Sequence, residues 1–190
     1  IVDRVLEELK TMNTIQDLKG KRVLITAGPT QAPIDPVRFI TNKSSGKMGY
    51  AIAKEAKRRG ADVTLISGPT NIEKPRGINV INILTNEEMR KAVLENFDNS
   101  DIVIKSAAVA DYKIKEYSNE KIKKSDNDLN LNFIRDNDIL KELGRLKTNQ
   151  ILVGFAAESS NVVSNAKRKI ESKNLDYIIA NDITSADTGF

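Results

Sequence analysis

The sequence has neither cysteine nor histidine among its 190 residues. The first absence excludes disulfide bonds and thiolate nucleophiles, and the second excludes Ser-His-Asp catalysis and ordinary zinc sites. Aromatic residues make up only 5% of the chain and are not interleaved with basic runs, so a base-stacking platform for single strands is not expected. Any chemistry must therefore use Lys, Arg, Asp, Glu, Asn and Ser side chains, backbone groups and hard cations.

Long apolar runs are also missing. No stretch approaches the roughly 20 residues needed to span a bilayer, and no signal-peptide pattern occurs, so we expect no membrane partner and a cytoplasmic location. Hydrophobic residues at 39% and charged residues at 29% are typical of a globular domain with a substantial core. The formal charge of +4 is modest and favours anionic small molecules over nucleic acid.

The two ends of the chain suggest a piece of a longer polypeptide, since it starts at Ile1 and stops at Phe190 within a motif. Residues 1–19 combine a short amphipathic helical pattern with a polar stretch, which suits an interdomain linker. We therefore expect a linker at 1–19 and one domain at 20–190, with a final strand or two beyond the C-terminal end.

The rest of the chain alternates between strand and helix patterns. Short Val- and Ile-rich segments predict strands at about 22–26, 62–67, 78–83, 101–106, 150–154 and 176–180. Helical patterns lie at about 45–59, 85–97, 137–146 and 161–173. This alternation predicts an α/β fold, a Rossmann-like doubly wound and mainly parallel sheet.

Residues 112–134 interrupt this alternation. They contain Lys121-Ile-Lys-Lys124, followed by the alternating run Leu129-Asn-Leu-Asn-Phe133, which predicts an inserted antiparallel hairpin. We call residues 112–134 the flap. Its lysines could be a solvated edge that discourages aggregation, but its place after the fourth strand favours a lid over anionic ligands.

The connection between the first strand and the first helix is unusually long. It runs from about residue 27 to 44, whereas such connections usually need about two to six residues, so it is a candidate functional loop. Ser44, Ser45, Gly46 and Lys47 stand where the helix begins, a position suited to phosphate groups. The alternative is that Gly46 and Gly49 only allow close packing of helix on sheet. The spacing of a Walker loop is absent.

Two other connections carry candidate ligands. Asp111 follows the fourth strand, where it could cap a turn or hold a cation, a base or a sugar. In the last helix, Val163, Ala166 and Ile170 predict the apolar stripe, and Lys169 and Lys173 lie at its edge rather than opposite it. Phe155, at the end of the preceding strand, would join that edge. The alternative is a core phenylalanine flanked by snorkelling lysines.

A nicotinamide cofactor is disfavoured. The first turn, Ala27-Gly-Pro-Thr30, lacks the Gly-x-Gly-x-x-Gly fingerprint, and the second strand ends at Leu65-Ile-Ser-Gly68 without an acidic residue for a ribose.

A set of motifs in fixed order resembles phosphopantothenoylcysteine synthetase, an enzyme of the coenzyme A pathway that is often fused behind a flavin-dependent decarboxylase. The motifs are Gly28-Pro-Thr30, Ile34-Asp-Pro-Val-Arg38, Thr41-Asn-x-Ser-Ser-Gly-Lys-Met-Gly49, Ala107-Ala-Val-Ala-Asp-Tyr112, Lys121-Ile-Lys-Lys124, Asp138-Ile-Leu140, Gly154-Phe-Ala-Ala-Glu158 and Asn181-Asp-Ile183. The resemblance covers about Leu18 to Phe190. One departure lies at Arg135-Asp-Asn137, where the family usually has Lys-Asn-Pro.

The resemblance implies ligation of 4′-phosphopantothenate to L-cysteine, with CTP activation through an acyl-cytidylate. It also implies Mg²⁺ as a cofactor, a homodimer, and FMN only if a decarboxylase domain precedes this chain. Rival interpretations are an ATP-using version of the ligase, a non-catalytic nucleotide-binding regulatory domain, and the disfavoured nicotinamide oxidoreductase.

The same resemblance implies roles for single residues. Asn42 would hold the acyl-cytidylate with Arg38 in support, and Lys121 would neutralise the triphosphate or the departing pyrophosphate. The nucleotide pocket would be formed by Ala107, Asp111, Ile134, Arg135, Asp136, Asn137, Phe155, Lys169 and Lys173, with Ser44, Ser45, Gly46 and Lys47 as phosphate contacts. No residue is assigned as a metal ligand.

Overall fold

A six-stranded parallel sheet organises the computed structural model, which describes residues 15–124, 128–158 and 160–182. The strands along these residues are β1 Arg22–Ala27, β2 Gln31–Pro33, β3 Phe39–Thr41, β4 Asp62–Ser67, β5 Asn79–Asn82, β6 Ile102–Lys105, β7 Tyr112–Ile114, β8 Phe133–Arg135, β9 Ile151–Glu158 and β10 Tyr177–Asp182. The helices are α1 Lys47–Arg58, α2 Asn86–Phe97, α3 Ile139–Leu146 and α4 Val162–Lys173.

The strand order in the main sheet is β10-β9-β6-β1-β4-β5, and every neighbouring pair is parallel. Along the chain, β1, β4 and β5 extend the sheet from its centre to one edge. β6, β9 and β10 then extend it from the centre to the other edge, as in doubly wound nucleotide-binding sheets. Because the connections leave β1 and β6 in opposite directions, a crevice opens at the carboxyl ends of these two strands. The predicted fold class is confirmed.

Helices cover both faces of the sheet, and each interface has its own core. On one face α1 packs Tyr50, Ala53 and Ala56 against β1 and β4. On the other face α2 and α3 pack Met89, Phe97 and Leu143, among others, against β1, β6 and β9. A central strand in this setting is buried on both sides, which explains the continuous apolar runs from which the strands were predicted.

The predicted elements are confirmed with small shifts in their ends. Thr85 and Glu88 form the predicted capping box at the start of α2, and the backbone turns into the left-handed region at Gly60 just after α1 ends. β9 extends four residues further toward the C-terminus than predicted, because β10 pairs with it along the whole extension.

The long first loop contains secondary structure that the sequence did not predict. It contains the antiparallel pair β2–β3, in which Ala32 faces Ile40. Strands of three residues are too short for an alternation pattern to reveal.

The flap contains the predicted antiparallel pair, formed by β7 and β8. The strand does not coincide with the alternating run, however. Only Phe133 of that run belongs to β8, because the register with β7 is set by Tyr112, Lys113 and Ile114. In α4, Ala166 is buried as predicted, but Val163 is 68% exposed, so its assignment to the apolar stripe is wrong.

The predicted amphipathic helix near the N-terminus lies mostly outside the described residues, as do residues 183–190. The domain boundaries therefore stay predictions. Among the residues that the structure describes, none of the helices has the length and apolar character of a membrane span.

Candidate functional site

A cleft of about 460 Å³ lies at the carboxyl ends of β1, β6 and β9. Its position is the switch point of the sheet, where open α/β folds bind their ligands. Nine residues that the sequence predicted as ligands line it together: Ser44, Ser45, Gly46, Lys47, Ala107, Asp111, Phe155, Lys169 and Lys173.

The first wall is the start of α1. Gly46 precedes the helix with a φ of 79°, a left-handed conformation that favours glycine. A Cβ at Gly49 would lie 2.5 Å from the Ala27 Cβ, so the helix can approach β1 only without a side chain there. The close packing of helix on sheet that the sequence predicted is therefore confirmed at Gly49. The same packing places Ser44 to Lys47 in the cleft wall, so the two interpretations are compatible.

The second wall is the loop that follows β6. The Thr26 hydroxyl accepts a hydrogen bond from the Ala107 N–H at 3.1 Å, and the Ser106 hydroxyl donates to the Thr26 carbonyl at 2.7 Å. Asn42 ties the first loop to this wall, since its Nδ2 donates to the Ala108 and Val109 carbonyls at 3.0 and 2.9 Å. Asn42 therefore lies beside the cleft rather than in its lining, with its amide hydrogens directed to the backbone.

The third wall combines β9, the start of α3 and α4. Phe155 and the lysines at the edge of the α4 stripe face the cleft, as predicted. The Lys173 Nζ lies 3.0 and 3.1 Å from the two oxygens of Asp138, which also caps α3 by accepting from the Lys141 N–H at 3.0 Å. Burial raises the pKa of Asp138, but these hydrogen bonds outweigh it and leave the pKa below its usual value.

Lys105 also lines the cleft, although the sequence did not predict it as a site residue. Lys105 is only 6% exposed, and its Nζ lies 3.6 Å from the Met89 sulfur. Burial, with a smaller contribution from the nearby Lys173, lowers the pKa of Lys105 to about 7. A signal was present in the sequence, because a lysine that ends an apolar parallel strand is expected to be buried at the binding edge.

Arg38 makes contacts that the sequence did not predict. Its guanidinium donates to the Asp35 carboxylate at 2.9 and 2.5 Å and to the Ile122 carbonyl at 2.6 Å. Asp35, only 2% exposed, also accepts from the Ile122 N–H at 3.1 Å. The Arg38 hydrogen bond holds the pKa of Asp35 well below its usual range. Arg38 and Asp35 thus clamp the flap next to Lys121, which is exposed.

The segment from Ile134 to Asn137 does not line the cleft, although the resemblance implied that it would. Ile134 and Arg135 are exposed residues of β8. Lys113 pairs with Asp136 at 3.1 Å, and Asn137 donates to Glu87 on α2 at 2.9 Å. In this chain the cleft is reached instead by the following residues Asp138, Ile139 and Leu140.

The cleft is suited to a polyanion. It gathers four lysines and two carboxylates, together with the N-terminal ends of α1 and α3: Lys47, Lys105, Lys169, Lys173, Asp111 and Asp138. Within the described ranges, no group of three or more acidic side chains converges as a metal site. Mg²⁺ needs only one or two carboxylates when phosphates supply further ligands, and Asp111 and Asp138 are the carboxylates that line the cleft.

Comparison with known proteins gives consistent matches. The family model described as the DNA/pantothenate metabolism flavoprotein C-terminal domain matches residues 18–190. The chain is 52% identical over 178 residues to the coenzyme A biosynthesis bifunctional protein CoaBC of Bacillus subtilis (strain 168), across 93% of this chain and 44% of that protein. It is 51% identical over 170 residues to the protein of the same name from Haemophilus influenzae, across 89% and 42%.

A solved structure supports the same relationship. The crystal structure of the C-terminal domain of coenzyme A biosynthesis bifunctional protein CoaBC is similar with a TM-score of 0.79 at 48% identity, and the match covers 87% of this chain and 79% of that one. The chain spans less than half the length of the two curated relatives described above.

Proposed function

The chain belongs to the DNA/pantothenate metabolism flavoprotein C-terminal domain family, and from that premise we propose that it is a phosphopantothenate–cysteine ligase. It joins 4′-phosphopantothenate to L-cysteine with CTP as the activating co-substrate and releases pyrophosphate and CMP. The observation that carries this proposal is the cleft at the switch point, where nine residues implied by the family motifs meet.

The reaction has two balanced steps. A carboxylate oxygen of phosphopantothenate attacks the α-phosphorus of CTP, the bond to the β-phosphate breaks, and pyrophosphate leaves an acyl-cytidylate. The cysteine amine then attacks the acyl carbon, the bond to CMP breaks, and the nitrogen loses a proton as the amide forms.

The residues of the cleft suit both steps. CTP brings a triphosphate, and phosphopantothenate brings both a phosphomonoester and a carboxylate, so the repulsion between these groups must be offset by fixed positive groups. Lys47, Lys169 and Lys173 supply such charge from two walls of the cleft. Catalysis of this type depends on positioning and electrostatics and requires neither histidine nor cysteine.

Bound Mg²⁺ would offset further phosphate charge, and Asp111 and Asp138 are the residues of the cleft that would hold it. FMN belongs to this proposal only for a longer protein in which a decarboxylase domain precedes Ile1. We also propose a homodimer, supported by exposed apolar residues on the hairpin strands β3 and β8, such as Phe39, Ile40 and Phe133.

CTP is the proposed nucleotide rather than ATP. Ala107 and Phe155 line the cleft, and we propose that the backbone around Ala107 pairs with the polar edge of a cytosine. Because polar groups left unpaired by the wrong base penalise binding, we expect kcat/KM for CTP to exceed that for ATP by far more than about tenfold. Equal turnover with ATP would overturn the nucleotide assignment and leave the ligase assignment in place.

Substrate omission tests the ligase itself. Pyrophosphate release is measured with CTP, Mg²⁺, phosphopantothenate and cysteine, and each substrate is omitted in turn. The ligase predicts release that requires CTP and phosphopantothenate together, and amide product only when cysteine is added. Nucleotide binding without any release would instead support a regulatory domain.

A further inference from the structure

Lys105 has an environment unlike that of an ordinary lysine. It is the last residue of β6 and pairs with Thr26 on one side and Gly154 on the other. It shares the face of β6 with Val103, so its side chain extends into the core that α2 and α3 cover. An ammonium has three hydrogen-bond donors, yet the hydrogen-bond acceptor found for it among the described residues is the Met89 thioether at 3.6 Å, a weak acceptor.

The charged groups around Lys105 come from three other elements. Lys173 on α4 opposes a positive charge at Lys105, whereas Asp138 at the start of α3 and Asp111 after β6 favour it. Asp138 is already engaged by Lys173 and by the Lys141 N–H. Among the residues that the structure describes, no carboxylate lies within 4.0 Å of the Lys105 Nζ. Lys105 therefore lacks the partner that a buried ammonium requires.

A phosphate group bound in the cleft would supply the missing partner, because Lys105 also lines the cleft. We propose that Lys105 is a phosphate-binding residue that takes up a proton when a phosphate group of a substrate enters the cleft. This inference rests on the proposed function for the identity of the phosphate compounds. Protonated Lys105 adds a fourth cation to the cleft when the phosphate binds. Before binding, the neutral amine of Lys105 avoids the cost of a buried charge.

The proton balance of this step is simple. A neutral amine at Lys105 accepts one proton from solvent and becomes an ammonium that donates to phosphate oxygens. Since burial lowers the pKa of Lys105 to about 7, roughly half of the molecules should gain a proton on binding at pH 7. Uptake should be near zero at about pH 5.5, where the amine is already charged, and should approach one proton at about pH 8.5.

Calorimetry measures this uptake directly. The full 190-residue chain is titrated with CTP alone and with 4′-phosphopantothenate alone, in buffers of equal pH and different ionisation enthalpy. The slope of observed enthalpy against buffer ionisation enthalpy is the number of protons exchanged. The two ligands distinguish a nucleotide phosphate from the phosphomonoester, and cytidine, which has no phosphate, should cause no uptake.

Lys105→Met is the test variant, because it keeps an unbranched side chain beside Met89 and removes the amine. Subtracting its proton uptake from that of the natural chain cancels protons released by the phosphates themselves. We expect a difference of about 0.5 proton at pH 7 for the ligand that reaches Lys105, and affinity about tenfold weaker, as for loss of a charged hydrogen bond. Lys91→Met, an exposed site on α2, is the matched control and should behave like the natural chain.

The outcomes separate this inference from the function on which it rests. If CTP and phosphopantothenate bind but Lys105→Met shows the same uptake as the natural chain, Lys105 is not a phosphate ligand and the ligase proposal stands. If neither compound binds the natural chain, both proposals fail. Should the variant bind too weakly for comparison, the pH series of the natural chain decides, and an uptake that does not rise from pH 5.5 to 8.5 overturns the inference.

Discussion

Lys105 and Lys173 enter the same part of the cleft, but within residues 15–124, 128–158 and 160–182 only Lys173 has a carboxylate partner. Lys173 is 3.0 Å from Asp138, whereas Lys105 contacts a thioether. A buried ammonium without a carboxylate or strong acceptor is unfavourable, so the charge at Lys105 depends on what occupies the cleft. This difference in surroundings also has a consequence for stability.

Lys105→Met should stabilise the chain, and the gain should depend on pH. The folded-state pKa of Lys105, about 7, lies below the ordinary value of 10.5. Between these values the unfolded chain binds more protons, so the free energy of unfolding of the natural chain rises with pH, by up to about 1.4 kcal/mol per pH unit. The advantage of the methionine variant should therefore be largest below about pH 7 and shrink toward pH 10.

Urea unfolding at pH 6, 7 and 9.5 checks this prediction. Lys91→Met, on the exposed side of α2, serves again as the control and should show no such trend. An advantage of Lys105→Met that stays constant with pH would mean that the amine does not change its protonation on folding.

Asn42→Ala should slow amide formation by about 10²-fold, because losing its hydrogen bonds to the Ala108 and Val109 carbonyls would shift the cleft wall, and a misplacement of ~1 Å can cost that much in rate. Nucleotide affinity should change much less, because Asn42 lies beside the cleft and ties the first loop to Ala108 and Val109. Single-turnover rates and CTP binding are the two measurements, with the exposed neighbour Lys43→Ala as control. Normal turnover in Asn42→Ala would remove this residue from the chemistry.

The site residues differ in how far sequence could predict them. Lys169, Lys173 and Phe155 were predictable, because helical periodicity and the end of a strand place them on one edge. The partners of Arg38 were not predictable, since Asp35 and Ile122 come together only through the contact between the first loop and the flap. Residues 134–137 lie outside the cleft for a similar reason, because the position of β8 is set by its pairing with β7, which is distant in sequence.

At the scale of elements, the helices and the main strands follow from local pattern, whereas the short hairpins do not. The boundaries of α2 follow from the capping box at Thr85 and Glu88. The β2–β3 pair and the extension of β9 depend on partners distant in sequence. These less predictable parts surround the binding edge, where loops carry function on a rigid sheet.

The flap should act through the Asp35–Arg38 pair that holds it as well as through Lys121. Lys121→Gln should slow acyl-cytidylate formation more than attack by cysteine, since an exposed lysine next to a clamped residue can close over phosphates. Asp35→Asn should affect the same step, because Asp35 and Arg38 together hold Ile122. It should also destabilise the chain, because the Asp35 side chain is buried and its charged hydrogen bonds with Arg38 would be weakened.

Single-turnover kinetics separates the two steps, and Lys123→Gln in the same exposed segment is the matched control. If the first step is unchanged in Lys121→Gln, the lysine has no role in activation. If Asp35→Asn loses stability but keeps the first step, the clamp is structural only.

The lysines of α4 should contribute to affinity and little to stability. Changing Lys169 and Lys173 together to Gln removes two cleft cations and the Lys173–Asp138 pair. A partly exposed pair of this kind contributes roughly 0–1 kcal/mol, so the thermal midpoint should hardly move while the dissociation constant for CTP rises. Lys167→Gln, exposed on the same helix, is the control. Lower stability with unchanged affinity would favour snorkelling lysines.

At the scale of the molecule, the strand order explains why distant motifs act together. Ser44–Lys47, Ala107 and Phe155 are far apart in the chain, but β1, β6 and β9 are neighbours in the sheet and end at the same edge. The net charge of +4 is small, yet four lysines converge on this edge. The fold therefore concentrates at one cleft the positive charge that CTP and phosphopantothenate require.

The central claim is that the chain activates a carboxylate as an acyl-cytidylate, and oxygen transfer tests it most directly. Phosphopantothenate labelled with ¹⁸O in its carboxylate is converted with CTP, cysteine and Mg²⁺, and the nucleotide product is analysed by mass spectrometry. Attack on the α-phosphorus followed by cleavage at the acyl carbon predicts that CMP carries one ¹⁸O atom and pyrophosphate carries none. Label in inorganic phosphate, with CDP as the nucleotide product, would contradict the account, because the carboxylate would then have attacked the γ-phosphorus.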